Sequence, residues 1–186
     1  IIGGHRTYVN SLDVRVLGVA GGSMVRAGKG GIVDVGPRSA HIANVGYACF
    51  TDPELFEGAS LYYMQPREND PSDYVAIRLN NGESVTITNT CAANVLGILA
   101  EGDYARGNVE SATKAIKLLA DEVGMSVQDT ARTILQKSTD KIKPVIEDLI
   151  SKYKIERDQI VLVGAGGGAG TLLTFTANDM GFKYQI

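Results

Sequence analysis

A strand that runs straight into clustered glycines at the start of a helix brings main chain against a ligand, and this sequence shows the arrangement at its far end. Gln159-Ile160-Val161-Leu162-Val163 reads as a buried strand, Gly164-Ala165-Gly166-Gly167-Gly168-Ala169-Gly170 follows, and apolar Thr171 to Met180 reads as a helix. Glycine admits a ligand to the backbone because no Cβ intervenes. The first-turn N–H groups of the helix, with its dipole, favour negative charge there. Nucleotide binding is the chemistry such a layout serves; tight strand–helix packing is the other use of the same glycines. A second cluster, Gly18-Val19-Ala20-Gly21-Gly22-Ser23, with Gly28 and Gly30-Gly31 beyond it, follows Leu12 to Leu17, where Leu12, Val14 and Val16 alternate with Asp13 and Arg15 as in a half-buried strand. The candidate ligand contacts are Gly164, Gly166, Gly167 and Gly168 on one side and Gly21, Gly22 and Ser23 on the other, with Ser23 as a hydroxyl donor to phosphate.

Other chemistry-bearing residues are few. Cys49, Cys91, His5 and His41 are all the cysteines and histidines, and their spacing does not match a metal site. Cys49 is a candidate nucleophile with His41 as its base, against the simpler reading of a buried thiol. Asp121-Glu122, Glu147-Asp148 and Glu156 read as solvated helix faces. A net charge of −3 with scattered Lys and Arg leaves no electrostatic footprint for nucleic acid. No apolar run approaches the roughly 18 residues of a membrane span, and no signal-peptide pattern opens the chain. A cytoplasmic protein without a disulfide is expected.

The elements that must position the glycines fall into two halves. Residues 23–26 and 32–35 read as a hairpin about Gly28-Lys29-Gly30-Gly31, and residues 36–60 as an ordered loop. A second hairpin pairs Tyr74–Leu79 with Ser84–Thr88 around Asn80-Asn81-Gly82-Glu83, because Asn-Gly is a strong turn signal. Its polar edge and the charged stretch before it predict a hairpin that projects from the body and whose residues 68–83 are dispensable. The second half is helical. Asn89 or Thr90 caps a helix reaching Gly102. Asn108 caps the next, with Ala112, Ile116, Leu119 and Val123 on one stripe and Gly124 beyond its end. Ser126 and Asp129 resemble a capping box that opens a long helix to Tyr153. Pro144 inside that helix predicts a kink. The closing strand, turn, helix and strand predict a right-handed crossover onto a parallel pair. The chain is therefore expected to be α/β, one lobe whose sheet includes residues 13–19 and 159–163.

Several blocks together resemble the A-type hydantoinase/oxoprolinase family: Gly3-Gly4, Ser11 to Arg15, Gly18 to Ser23, Val35-Gly36-Pro37-Arg38-Ser39-Ala40, Gly124 to Asp129, and Val161 to Gly181. Where that family has Gly-Pro-x-Cys-Tyr, this chain has Gly46-Tyr47-Ala48-Cys49-Phe50, and where it has Thr-Asp-Ala, this chain has Thr88-Asn89-Thr90. Residues 61–88 look like an extra hairpin insertion. The resemblance implies a ribonuclease-H-like lobe of the actin-like ATPase type, in which two lobes close on ATP. Residues 1–186 would be a single domain covering most of the second lobe of a longer protein, a reading that its start without Met also favours. It further implies that the Gly164–Gly170 turn contacts adenosine, and that the acids organising Mg²⁺ lie in Asp-Gly-Gly-Thr hairpins outside this sequence. The implied activity is ATP-dependent opening of a cyclic amide such as a hydantoin or 5-oxoproline, with a B-type hydantoinase subunit as partner. The chain alone would then be inactive. Two other roles fit the same scaffold: the ATP-using subunit of a ketone carboxylase, and a non-enzymatic, nucleotide-gated activator.

Overall fold

Ser23–Gly28 (β1) and Gly31–Ser39 (β2) form the expected antiparallel hairpin, closed by Gly31 at φ 110°. This is a computed structural model, and it describes residues 12–185. Four further strands complete a mixed six-stranded sheet: Gly46–Tyr47 (β3), Ser60–Met64 (β4), Tyr74–Arg78 (β5) and Ser84–Thr86 (β6). The order among the described residues is β2-β1-β5-β6-β3, with β4 also paired to β5, and of these pairs β3–β6 is parallel and the others antiparallel.

Three expectations for the first half are corrected. The second hairpin does not project. Its strand β5 is bordered by β1, β4 and β6, and Val75, Ala76 and Ile77 are fully buried. Tyr74 to Ile77 is apolar on both faces, which belongs in the middle of a sheet; the polar residues that suggested an edge are confined to the turn. Residues 13–19 are extended without joining a sheet among the described residues, and Leu12, Val14 and Val16 are 88, 68 and 92 % exposed. Of this stretch Asp13 is the residue tied down, accepting from Lys152 Nζ (2.6 Å) and Tyr153 OH (2.8 Å) at the surface, while Arg15 is exposed like its apolar neighbours. Finally, β2 runs on through a cis Gly36–Pro37 peptide, and short 3-10 turns at Ala48–Phe50 and Pro53–Phe56 replace much of the predicted loop.

The helices follow their caps. Asn89–Leu96 (α1) is capped by Thr88, whose hydroxyl accepts from Cys91 N, and ends at Gly97 in the left-handed region, short of the predicted Gly102. Val109–Val123 (α2) begins at Asn108 and ends at Gly124 as expected. Val127–Tyr153 (α3) starts on Ser126, which accepts from Asp129 N (3.1 Å) while its hydroxyl donates to the Asp129 carboxylate (2.6 Å); the helix continues through Pro144. The core joins β1, β2, β5 and β6 to all three helices, centred on Val25, Ile77, Ile87, Ile116, Leu119 and Ile134. Helix α1 is buried along most of its length between the sheet and α3.

The closing unit is Val161–Val163 (β7), Ala169–Met180 (α4) and Lys183–Gln185 (β8), with β7 and β8 parallel. The parallel pair is as predicted, but among the described residues it forms its own two-stranded sheet instead of extending the six-stranded one. Helix α4 packs on α3 and α1, and this packing carries the second glycine turn to the first.

Candidate functional site

The turn before β1 is held by the first residues of α1. Ala20 O accepts from Asn89 Nδ2 (2.9 Å) and Gly21 O from Thr90 N (2.9 Å), while Ser23 N donates to Ala20 O (3.1 Å). Asn89 is itself fixed from behind, its Oδ1 accepting from Ser138 Oγ of α3 (2.8 Å). A buried side-chain relay thus sets the position of Gly21 and Gly22. The glycine turn before α4 comes to the same place: a Cβ on Gly21 would stand 3.3 Å from the Gly168 Cα and 3.0 Å from Thr90 Oγ1. Between the turns opens a cleft of about 370 Å³ lined by Gly21, Gly22, Thr90, Tyr104, Gly167 and Gly168, with Tyr47 and Phe50 along one wall.

The predicted residues divide by role. Gly167 faces open space, so a side chain there would enter the cleft. Gly166 sits at φ 85°, and its carbonyl accepts from Ala169 N as the turn enters α4. Gly164 serves packing: a Cβ there would meet Leu173 and Ala169 at 2.8 and 2.9 Å. Gly22 lies under the Tyr47 hydroxyl, which a Cβ would strike. Ser23 is corrected. It is buried, and its Oγ accepts from Ala20 N (2.9 Å), so it closes the turn from below and does not face the cleft. For Cys49 the simpler reading, a buried thiol, holds. Cys49 is buried, and hydrogen bonding to Cys91 together with burial pushes its thiol far up, whereas His41 lies on an exposed turn.

Other features of the site come from residues that the sequence did not single out. Helix α4 has no side chain capping its N-terminus. At its first turn Thr171 is fully buried, and its Oγ1 has no hydrogen-bond partner among the described residues; it lies 3.5 Å from where a Gly21 Cβ would be. The segment between α1 and α2 forms the remaining wall. Asp103 Oδ1 accepts from Ala105 N (2.7 Å), Asn94 Nδ2 donates to Ala105 O (2.9 Å), and Gly107 N donates to Asn94 Oδ1 (2.8 Å). The other Asp103 carboxylate oxygen rests against Gly170, where only glycine leaves room. The Gly102 to Gly107 spacing was the signal available for this wall, but it lies far in sequence from both clusters.

Among the described residues, no three His, Cys, Asp or Glu side chains group as a metal site requires. No helix there is long and apolar enough to cross a membrane. A larger groove of about 560 Å³ beside α2 involves neither glycine cluster, and its walls carry the Lys117–Asp121 ion pair.

Uncapped helix N–H groups and bare glycine backbone at one cleft form a cradle for a polar ligand that carries negative charge, with the buried Thr171 hydroxyl behind Gly21. The hydantoinase/oxoprolinase family model matches residues 1–186. The alpha subunit of caprolactamase from Pseudomonas jessenii is 27 % identical over 191 residues, covering 98 % of this chain and 22 % of that protein. A nucleotide-free structure of acetone carboxylase, described in the context of ATP-dependent acetone carboxylation, superposes with a TM-score of 0.54 over 89 % of this chain and 20 % of that one, at 19 % identity. This chain therefore spans about a fifth of each relative. The shared α/β fold is consistent with the expected actin-like ATPase lobe.

Proposed function

Because the chain belongs to the hydantoinase/oxoprolinase family, we propose that it supplies the adenosine-holding side of an ATP site in an enzyme that opens cyclic amides. The observation that carries this reading is the meeting of two sequence-distant glycine clusters at one cleft. Gly167 and Gly168 would lie against the nucleoside, and the first turn of α4 would present N–H groups to the phosphate end. Gly21 and Gly22 would close the opposite side. The bare cradle and the orphaned Thr171 hydroxyl fit such a ligand.

In the reaction, ATP would supply a phosphoryl group to the amide oxygen, making the ring carbon open to attack by water. The contribution of this chain is to bind and orient the adenosine end, since such chemistry rests on positioning and charge stabilisation. Mg²⁺ would be held by carboxylates elsewhere in the enzyme, and a B-type subunit would complete the hydrolase. The acetone carboxylase likeness favours a second reading, in which the same cleft serves a ketone carboxylase.

The test is titration of the chain with ATP, followed by amide chemical shifts. With one side of the site present, a dissociation constant on the order of millimolar is expected, worth about 4 kcal/mol, with no ATP turnover. Gly167→Val should abolish binding, and Gly28→Val, at the far end of β1, should leave it intact. Equal binding by wild type and Gly167→Val would remove the cleft from consideration. In the whole enzyme, ADP release that depends on a lactam or hydantoin separates the first reading from one that depends on a ketone.

A further inference from the structure

Tyr104 combines two properties that rarely occur together: its backbone neighbours are fixed, and its ring is 95 % exposed. On one side Asp103 is held by Ala105 N and pressed against Gly170; on the other, Ala105 is buried and bonded through its carbonyl to Asn94. Gly107 then packs so closely on the turn carrying Phe50 that a Cβ would lie 3.0 Å from the Phe50 ring, and Asn108 N donates to Cys49 O (2.7 Å). The two segments bearing Tyr104 and Phe50 are therefore locked to each other. Phe50 is 55 % exposed and stacks on Tyr47, with ring centroids 5.6 Å apart and an angle of 29°. All three rings line the glycine cleft. Rigid backbone that holds bare aromatic rings over a ligand-sized cleft is an arrangement for gripping a flat ring, because a preset ring loses little freedom on stacking.

We propose that Tyr104 and Phe50 form the base subsite of this cleft, stacking a purine between them, and so set its preference among nucleotides. The proposal rests on the nucleotide reading given above and goes beyond it by assigning base selection to two side chains. The glycines contact the sugar and phosphate end and carry no information about the base. The aromatic wall does, because a purine offers a larger face than a pyrimidine.

The experiment titrates wild type, Tyr104→Ala, Tyr104→Phe and Phe50→Ala with ATP, CTP and inorganic tripolyphosphate, following amide shifts of the chain and the base protons of the nucleotides. Both side chains are exposed enough for the variants to fold, which thermal melts confirm. Wild type should favour ATP over CTP severalfold and shift the purine H2 and H8 signals upfield through ring currents. Tyr104→Ala and Phe50→Ala should each weaken ATP at least fivefold and cancel the preference over CTP, on the scale of base–aromatic stacking. Tyr104→Phe should keep both, and tripolyphosphate should bind all four proteins alike. ATP binding with unchanged preference in both alanine variants would overturn the base subsite and leave the glycine cradle standing. Absence of ATP binding to wild type would overturn both.

Discussion

Gly21 and Gly168 lie in turns from opposite ends of the chain, yet a Cβ on the first would stand 3.3 Å from the Cα of the second. At this point of contact even a Cβ would press the two turns apart by a few tenths of an ångström. The contact also makes the glycines unequal, since Gly167, one residue away, has nothing within 4 Å of its Cβ position. Gly21→Val should therefore cost about 1–3 kcal/mol by forcing the turns apart, whereas Gly167→Val should stay within about 0.5 kcal/mol of wild type. Urea denaturation distinguishes them, although both variants should lose ATP. Equal destabilisation by the two would mean that the turns do not touch in solution.

The Thr171 hydroxyl is buried without a partner among the described residues. Desolvation of such a group costs about 1–3 kcal/mol, so Thr171→Val, which keeps the shape, should leave the free chain as stable as wild type or more so. A ligand that uses this hydroxyl should at the same time bind the variant less well. A loss of more than about 1 kcal/mol in the unfolding free energy of free Thr171→Val, measured by urea denaturation, would show that the hydroxyl is already satisfied.

The position of β5 reverses the expectation that residues 68–83 can be removed. Deleting them takes out the whole of β5, a strand bordered by three others, and the deletion should lose its cooperative thermal transition. Ile77→Ala, a milder change at a fully buried site, should cost about 2–5 kcal/mol.

Hydrogen bonds from Lys152 and Tyr153 draw the Asp13 carboxyl down from 3.8 to about 2. A lowered folded value means that the link is fully present above the unfolded pKa and is lost as pH falls through about 4 towards 2. Carbon-detected titration of Asp13 should show a midpoint near 2, returning towards 3.8 in Lys152→Ala. An unchanged midpoint in that variant would remove Lys152 as the cause.

Local signals in the sequence were read well where one side chain decides the outcome. Asn108, Ser126 and Gly124 placed helix ends, and Asn81-Gly82 placed a hairpin, because caps and tight turns depend on neighbours a few residues away. Both glycine clusters were also visible, and the structure brings them together. Burial direction was harder. Leu12, Val14 and Val16 alternate as a strand should but stand exposed, and the contacts that tie Asp13 down come from Lys152 and Tyr153, far along the chain. Tyr104 and Thr171 had no local mark at all. The importance of Tyr104 comes from Asn94 and Asp103 fixing its backbone, and that of Thr171 from a vacancy beside Gly21, both relations that only the assembled fold creates.

Among the described residues, strands β7 and β8 bond to each other and not to the six-stranded sheet, and a strand pair by itself is marginal in water. They are tied to the body chiefly through α4 against α3 and α1. This part of the chain should then open as a separate foldon, with amides of 161–185 exchanging with deuterium sooner than those of β5 or α2. Since the glycine turn belongs to this unit, a nucleotide at the cleft binds only its closed form. At tenfold excess over Kd it should slow exchange there by about tenfold and leave the central sheet untouched, so that occupancy of the cleft is reported as a change in local lifetime.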